Sequence, residues 1–308
     1  MASRTISIIG VGRVGSTLAH LCAQQGAGNL VLIDDPPGIA QGVALDLSQS
    51  APVENFDISI TGTGDYKDIE GSDIVCITAG ARRTPGTSRD EVLLKNADIV
   101  KKISMRVAEY APESKLLVIT NPLDAITYAA YKASGFPRER VIGMAGVLDT
   151  TRFRFFVAQE LKVPVHTVTA LLIGGHGDRS LPVLQRCSVG KKPLAEMLSH
   201  EKIKSLIQKM HAAGDRILEL ENGNSAYYAP AASVIPVIRA IVKNTHETLP
   251  CSAYLNGEYG LNDICIGVPV TIGKHGIEKI VEVPLTPEEK AAFLASSKDI
   301  RRSIQNLA

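Results

Sequence analysis

Residues 10–15 have the sequence GVGRVG and match the pattern G-x-G-x-x-G. This stretch directly follows an apolar, strand-like run, Thr5–Ile9, and precedes a helical run at residues 17–24. Asp34 closes the next apolar run, about 20 residues further on. A strand, a glycine-rich turn, a helix and a second strand ending in a carboxylate are typical of a dinucleotide-binding βαβ unit.

The three glycines of this segment have separate predicted roles. Gly10 allows the tight turn, Gly12 lets the pyrophosphate approach the backbone, and Gly15 lets the helix and the strand pack closely. The following helix presents free amides and a partial positive charge to the phosphates. Asp34 would accept hydrogen bonds from the adenosine ribose and oppose a 2′-phosphate, which favours NAD over NADP. The alternatives are that Asp35 fills the ribose role, or that these are only turn glycines and a surface aspartate.

The first half of the chain alternates strand-like and helical segments. The strand-like runs are rich in Val and Ile and lack a clean alternation, as in strands buried on both faces of a parallel sheet. They occupy residues 5–9, 30–33, 58–61, 74–78, 115–119 and 141–143. Ser88 and Glu91 have the spacing of a capping box that opens one of the intervening helices. This pattern predicts an α/β fold with a Rossmann-type, doubly wound parallel sheet.

The second half is organised differently, and we place a domain boundary near residue 143. Its pattern predicts a strand over residues 167–173, helices over 202–221 and 226–243, and strands over 252–255, 264–272 and 277–283. Turn-like segments separate the last three strands, as in an antiparallel group. Thr286 and Glu289 open a final helix, with proline at its first position. We therefore predict an NAD-binding Rossmann domain at residues 1–143 and a mixed α+β substrate-binding domain at residues 144–308.

The composition of the 308 residues is typical of a globular protein, with 45% apolar and 21% charged side chains. The formal net charge is +1 without a run of like charges, so we expect neither a nucleic-acid nor a membrane partner. No apolar stretch reaches the roughly 18 residues of a membrane span, and the early strand leaves no room for a signal peptide. The five cysteines are odd in number and form no CxxC, which favours reduced thiols over disulfides or a zinc site. We therefore expect a cytoplasmic protein without a metal.

Three separated segments contain the candidate catalytic residues. The first, residues 80–89, has three arginines around a Pro-Gly turn: Arg82, Arg83 and Arg89. Guanidinium groups bind carboxylates in a bidentate manner, so this loop suits a carboxylate-bearing substrate. On this segment alone, a solvated basic loop is an equal alternative, and either Arg82 or Arg83 can face the substrate.

The other two segments supply a histidine and two charged residues of a helix. Asp149 and Arg152 are spaced to share one helix face, as they would also be in an ordinary intrahelical ion pair. His176 lies within residues 174–178, GGHGD, at the end of a predicted strand. Flanking glycines allow backbone and ligand to approach closely, which makes His176 the candidate general base, although a lone histidine is more often structural.

Motifs of one known family occur along the whole chain in the family's order. They lie at residues 10–15, 78–80, 80–89, 119–122, 146–152, 174–178 and 252–260. With these motifs the chain resembles the lactate/malate dehydrogenase family, and within it the lactate-dehydrogenase-like malate dehydrogenases. The resemblance implies NAD as cofactor. The implied cofactor contacts are Gly10, Gly12, Arg13, Val14, Gly15, Asp34, Thr78, Ala79, Gly80, Asn96, Ile119 and Asn121.

The resemblance also implies a role for each catalytic side chain. His176 is the acid/base, and Asp149 orients the imidazole ring and favours its protonated form. Arg152 binds the substrate carboxylate, and Arg89 polarises the reacting carbonyl. Asn121 hydrogen-bonds near the reacting oxygen and the nicotinamide. Closure of the arginine loop over the substrate would exclude water and strengthen these interactions.

The implied reaction is the reversible NAD-dependent oxidation of (S)-malate to oxaloacetate, a step of the tricarboxylic acid cycle, by a homodimer or homotetramer. Arg83 is the substrate-selecting position, because a buried second carboxylate needs a cationic partner and the methyl group of lactate does not. The alternatives are a lactate or broader 2-hydroxy acid dehydrogenase and, from another class, a catalytically silent NAD-binding protein. Thr87 and residues 179–181 depart from the expected malate dehydrogenase pattern, so the reaction class is better defined than the substrate range.

Overall fold

Strands and helices alternate along the computed structural model, which describes residues 4–81 and 88–307 and, for Arg89, only the main chain. The strands are β1 (Thr5–Ile9), β2 (Asn29–Ile33), β3 (Ile60–Thr63), β4 (Ile74–Ile77), β5 (Lys115–Val118), β6 (Val141–Gly143), β7 (Val168–Thr169), β8 (Leu172–Gly174), β9 (Ser180–Pro182), β10 (Ser188–Val189), β11 (Lys192–Pro193), β12 (Glu247–Asn256), β13 (Asn262–Gly273) and β14 (Gly276–Ile280). The helices are α1 (Arg13–Gln24), α2 (Pro37–Glu54), α3 (Arg89–Tyr110), α4 (Leu123–Ser134), α5 (Gly146–Leu161), α6 (Leu194–Met197), α7 (His200–Leu220), α8 (Tyr228–Lys243) and α9 (Pro287–Gln305).

The first six strands form a parallel sheet in the order β3-β2-β1-β4-β5-β6. Helices cover both faces, and successive residues of one strand enter different cores: Ile8 packs in one buried cluster and Ile9 in another. Burial on both faces explains why these strands are continuous apolar runs without alternation. The strand order reverses between β1 and β4, so the predicted doubly wound Rossmann-type sheet is confirmed.

The same sheet continues into the second half of the chain with the opposite strand direction. β12 pairs antiparallel with β6 at Ser252 and Gly143, and the order then runs β12-β13-β8-β9, with β14 beside β13. A Cβ atom added at Gly143 would lie 2.8 Å from that of Ser252, so a glycine permits this close pairing. The second half is mixed α+β, as predicted. Residue 143, where we place the domain boundary, is the last residue of the parallel part.

The prediction of a single strand over residues 167–173 is wrong. The structure has two strands there, β7 in a separate sheet of order β11-β10-β7 and β8 in the main sheet. Side chains of α5 bind the backbone at both: Arg154 Nε donates to the Val168 carbonyl (2.7 Å), and the Leu172 amide donates to Thr150 Oγ1 (3.1 Å). Because these backbone groups bond to a helix, they are not available to one continuous strand ladder.

Other bounds differ from the prediction by a few residues. The strand predicted at residues 58–61 is β3, which begins two residues later, at Ile60. The strands predicted at 252–255 and 264–272 lie inside the longer β12 and β13. Element ends depend on contacts that the local pattern does not contain, so differences of this size are usual.

All five cysteines are free and buried in the core. Burial raises the pKa of the Cys22 and Cys251 thiols to about 12 and that of Cys187 to about 11. The protonated, enclosed state of these thiols agrees with the predicted reduced cysteines. Within residues 4–81 and 88–307, no helix combines the length and the apolar character that crossing a membrane requires.

Both predicted capping boxes are present. At the start of α3, the Ser88 hydroxyl accepts from the Glu91 amide and the Glu91 carboxylate accepts from the Ser88 amide. At the start of α9, Thr286 and Glu289 make the same reciprocal pair, at 3.2 and 2.9 Å. Each box satisfies two amides that the first helical turn would otherwise leave without a partner.

We predict that Thr286→Ala lowers the free energy of unfolding by about 1 kcal/mol, because the first turn of α9 loses its side-chain acceptor. Thr286→Ser is the matched control, since it removes the methyl group but keeps the hydroxyl. Urea denaturation followed by circular dichroism measures both variants. Equal losses in the two variants would show that methyl packing, rather than the cap, is responsible.

Candidate active site

A cleft of about 760 Å³ lies at the carboxyl ends of the parallel strands, where the strand order reverses. Open α/β sheets bind their ligands at this position. Every residue predicted to contact the cofactor lines the cleft: Gly10, Gly12, Arg13, Val14, Gly15, Asp34, Thr78, Ala79, Gly80, Asn96, Ile119 and Asn121. Arg152 and His176 line the same cleft, so the catalytic candidates lie beside the predicted dinucleotide site.

The turn between β1 and α1 is shaped by its glycines. Gly10 has φ +94°, and the Thr78 hydroxyl donates to its carbonyl. A Cβ atom at Gly15 would collide with the Gly10 carbonyl, whereas one at Gly12 would meet nothing within 4 Å. Among the described residues no side chain caps the N-terminus of α1, so its first-turn amides remain available to an anion. Open space beside free amides fits a pyrophosphate group.

The carboxylate of Asp34 connects the glycine turn to the end of β2. Its Oδ2 accepts from the Val11 amide at 2.6 Å, and its Oδ1 accepts from the Asp35 amide at 2.8 Å. Asp34 is half-buried and lines the cleft, while Asp35 is exposed. These positions fit a ribose that hydrogen-bonds to Asp34, and they leave a 2′-phosphate close to a negative charge.

Asn96 joins the two loops that follow β4 and β5. Its side-chain oxygen accepts from the Ala81 amide at 2.7 Å, and its side-chain nitrogen donates to the Asn121 carbonyl at 2.7 Å. Asn96 is buried on α3, so both bonds are shielded from water. Asn96, predicted only as a cofactor contact, therefore also holds the main chain at Asn121.

The centre of the site is a histidine–carboxylate pair. His176 follows β8, and its Nδ1 lies 2.9 Å from Oδ2 of Asp149 in the first turn of α5. The side chain of Asp149 is 2% exposed and that of His176 is 13% exposed. Burial lowers the pKa of His176, but the charge and hydrogen bond of Asp149 outweigh it, so the pKa is raised above the ordinary histidine value. The Nε2 atom is therefore the ring nitrogen left for a substrate.

Arg152 lies one turn beyond Asp149 on α5. The ordinary intrahelical ion pair is not formed, since no ion pair of Arg152 exists among the described residues and Asp149 bonds to His176 instead. Burial lowers the pKa of the guanidinium, and the charge of Asp149 opposes this effect. A half-buried cation without an ion-pair partner in the described structure suits an incoming carboxylate.

The main chain around His176 is held from two sides. The Gly175 amide donates to Ser296 Oγ of α9 at 2.7 Å, and the His176 amide donates to Asp124 Oδ2 of α4 at 2.8 Å. Ser252 Oγ donates to the other oxygen of Asp124 at 2.6 Å. The sequence analysis missed all three partners. Asp124 had one visible signal, an acidic residue between apolar Leu123 and Ala125 on a helix.

The arginine loop is only partly within the described structure. Arg82, Arg83 and Thr87 lie outside the described residues, as does the side chain of Arg89, whose main chain begins α3. The second departure from the expected pattern, residues 179–181, is described. There Arg179 forms ion pairs with Asp299 of α9 at 3.4 Å and with Asp178 at 3.9 Å.

Comparison with protein families identifies the whole chain. Residues 4–143 match the family described as lactate/malate dehydrogenase, NAD binding domain, and residues 146–308 match the lactate/malate dehydrogenase, alpha/beta C-terminal domain. The chain belongs to the lactate/malate dehydrogenase family. The motifs that resemble this family are therefore those of a true member.

Both malate dehydrogenases and lactate dehydrogenases of the family are similar to this chain. The malate dehydrogenase of Desulforudis audaxviator is 46% identical over 307 residues, which cover 100% of this chain and 99% of the relative. The crystal structure of Cryptosporidium parvum malate dehydrogenase has 39% identity and a TM-score of 0.96, with 99% of each chain covered. The C. parvum lactate dehydrogenase solved with lactic acid and NAD has 36% identity and the same TM-score, with 100% of this chain and 98% of that one covered. Backbone likeness therefore does not separate the two activities.

We expect the enzyme to prefer NADH strongly over NADPH, because the Asp34 carboxylate faces the position of a 2′-phosphate. Asp34→Asn keeps an acceptor for the Val11 amide and removes the charge, so NADPH should gain roughly tenfold or more relative to NADH. The ratio of kcat/KM values for the two cofactors measures this, with Asp35→Asn as the matched control. An effect in Asp35→Asn and none in Asp34→Asn would assign the ribose role to Asp35.

Proposed function

We propose that the protein is an NAD-dependent malate dehydrogenase that reversibly oxidises (S)-malate to oxaloacetate. The observation that supports this most is the buried His176–Asp149 pair, 2.9 Å apart, in the same cleft as the dinucleotide turn and Arg152. Relatives that match over the full length carry the name malate dehydrogenase. A hydroxy acid bound there has a base for its hydroxyl proton and a cation for its carboxylate.

His176 performs the proton transfer in this proposal. In the oxidation direction, its neutral imidazole takes the hydroxyl proton at Nε2 while Asp149 keeps the proton on Nδ1. NAD would supply the hydride acceptor for the hydrogen on the carbon that bears this hydroxyl group. The imidazolium that results is stabilised by the Asp149 carboxylate, which also prevents rotation of the ring. Reduction of oxaloacetate starts from this protonated form.

The arginines and Asn121 orient the substrate in this proposal. Arg152 binds the carboxylate next to the reacting carbon, since its guanidinium offers two parallel donors. Arg89 polarises the reacting carbonyl, and Asn121 hydrogen-bonds near the same oxygen. Arg83 binds the second carboxylate, which malate has and lactate lacks. The two arginines of the loop would thus complete the site when the loop covers the substrate.

Two other functions are weaker on specific grounds. A lactate dehydrogenase has the same scaffold, but an arginine facing a methyl group would be a desolvated charge without a partner. A catalytically silent NAD-binding protein needs neither the His176–Asp149 pair nor Arg152, because none of them is required to hold a dinucleotide. Burying the Asp149 carboxylate is costly, so its position beside the His176 imidazole favours a catalytic function.

The quaternary structure, the compartment and the domain division are also proposals. We infer a homodimer or homotetramer from membership of the lactate/malate dehydrogenase family, and exposed apolar side chains on α2 and α5, Leu45, Val53 and Phe155, are compatible with such an assembly. Free, buried cysteines support a reducing, cytoplasmic environment, and the substrate pair supports a role in the tricarboxylic acid cycle. Residues 1–143 would bind the cofactor and supply the arginine loop and Asn121, and residues 144–308 would supply Asp149, Arg152 and His176. Light scattering during size-exclusion chromatography tests the oligomeric state.

The decisive test of the function is NADH consumption with oxaloacetate and with pyruvate, and it includes His176→Ala. We predict that this variant loses roughly 10²–10⁴-fold in turnover through lost acid/base catalysis. His166→Ala, at an exposed histidine, is the control and should retain full activity. Because the pKa of His176 is raised, oxaloacetate reduction should persist above the pH at which an ordinary histidine loses its proton. Malate oxidation should increase as the pH rises through the raised pKa. Near-normal turnover of His176→Ala would refute the assignment.

Substrate selection is tested at the arginine loop. Arg83→Gln should weaken oxaloacetate reduction sharply and raise pyruvate reduction relative to it, because selectivity based on a buried charge pair can reach about 10⁴–10⁵. Arg82→Gln is the neighbouring control, and kcat/KM for the two keto acids is the measurement. A switch at Arg82 and none at Arg83 would move the selecting position by one residue. An unmutated enzyme that reduces both keto acids equally well would contradict the malate assignment.

A further inference from the structure

A second carboxylate lies next to the catalytic histidine. Asp124 is only 6% exposed, in the first turn of α4, and its Oδ2 accepts the main-chain amide of His176 at 2.8 Å. Its Oδ1 accepts from the hydroxyl of Ser252 at 2.6 Å. The carboxylate thus joins three segments that are distant in sequence: α4, the loop after β8, and β12.

The environment of Asp124 contains features that oppose and favour its ionised form. Burial, helped by the charge of Asp149, raises the pKa of Asp124 above its ordinary value; the hydrogen bonds from Ser252 and from the His176 amide, together with the charge of His176, oppose this rise without cancelling it. The N-terminal turn of a helix also favours a negative charge. A neutral acceptor could satisfy the same two donors without the cost of burying a charge. A negative charge on Asp124 is therefore favourable mainly when a cation forms nearby. In the proposed reaction His176 becomes that cation when it is protonated.

We propose that Asp124 is a positioning residue for His176, which fixes the main chain at residue 176 and supplies a second negative charge beside the imidazole. This inference rests on the proposed role of His176 as acid/base. Asp124 acts through the histidine, because both of its carboxylate oxygens are bonded to protein groups, the His176 amide and the Ser252 hydroxyl. Asp149 holds the ring, and Asp124 holds the backbone from which the ring projects.

The charges around His176 come from several elements. The charges of Asp149 and Asp124 favour the imidazolium, and that of Arg152 disfavours it. Among the described residues, the charged groups of the loop itself are Asp178 and Arg179, and Asp299 of α9 forms an ion pair with Arg179. Within the same part of the chain, the buried carboxylates bonded to His176 are Asp149, at the ring, and Asp124, at the main-chain amide.

Asp124→Asn separates the charge from the position. The asparagine has nearly the same shape, its oxygen can accept the His176 amide, and its amino group can donate to the Ser252 hydroxyl. Only the negative charge is lost, so the imidazolium becomes less stable and the pH profile moves towards lower pH. Asp124→Ala removes both the charge and the main-chain bond, which also releases the backbone at His176.

The two directions of the reaction should respond in opposite ways to Asp124→Asn. For oxaloacetate reduction, we expect the ratio of kcat at pH 8 to kcat at pH 6 to be roughly threefold to tenfold lower in Asp124→Asn than in the unmutated enzyme. The reason is that reduction needs the protonated histidine. Malate oxidation at pH 6 should rise relative to the unmutated enzyme, because it needs the neutral form. Asp124→Ala should instead lower kcat in both directions by about tenfold or more, with the KM for NADH unchanged.

A direct titration of His176 makes the test independent of activity. The unmutated protein and the Asn variant are labelled with ¹³C at histidine Cε1, and His176 is assigned by its missing signal in His176→Asn. Its midpoint should move to lower pH in Asp124→Asn. Asp73→Asn is the matched control, since Asp73 also accepts a hydrogen bond from a main-chain amide, that of Thr5. Thr5 begins β1, so this contact lies at the end of the strand away from the cleft. It should leave both the midpoint and the pH profile unchanged.

The outcomes separate the two proposals. An enzyme that reduces neither keto acid refutes the proposed function, while the titration still reports on Asp124. An unchanged His176 midpoint, or equal losses in both directions for the folded Asn variant, overturns the role of the Asp124 charge. Asp124→Ala with unaltered kcat at its own optimum pH overturns the positioning role. Melting temperatures of all variants verify that the proteins compared are folded.

Discussion

The close approach of β6 and β12 at Gly143 and Ser252 is the constraint on which the site depends. It joins the parallel part of the sheet to the antiparallel part, and only a residue without a side chain allows it at Gly143. Ser252 is thereby placed against Asp124, and Asp124 against the main chain of His176. The position of the His176 main chain relative to the cleft is thus set by strand pairing, which is more rigid than a loop.

Much of the fold could be predicted because its signals are local. The bounds of β1 and β6 agree with the pattern, and so do both capping boxes, since each depends on residues close together in sequence. The strand over residues 167–173 could not be predicted correctly. Its division depends on Arg154 and Thr150, whose side chains bond to its backbone from α5. An apolar run does not indicate which helix will satisfy its amides.

The site shows the same division between local and tertiary information. The glycine turn and Asp34 were found from spacing, and the family resemblance brought Asp149 and His176 together across the sequence. Asp124 is only three residues from Asn121 in a motif already noted, yet its partners are Ser252 and the His176 amide. A carboxylate in a helix is usually a solvated one, so its buried position was not evident from the sequence.

The buried cysteines provide an internal record of how the molecule opens. Alkylating reagents attack the thiolate, and each of these thiols is both enclosed and protonated, so labelling waits for its surroundings to separate. Cys76 lies in β4 of the parallel part and Cys251 in β12 of the antiparallel part, both within one buried cluster, and Cys187 lies in a separate cluster that contains side chains of α5. Native-state labelling rates at these three cysteines therefore measure local opening around each of them separately, without an introduced probe.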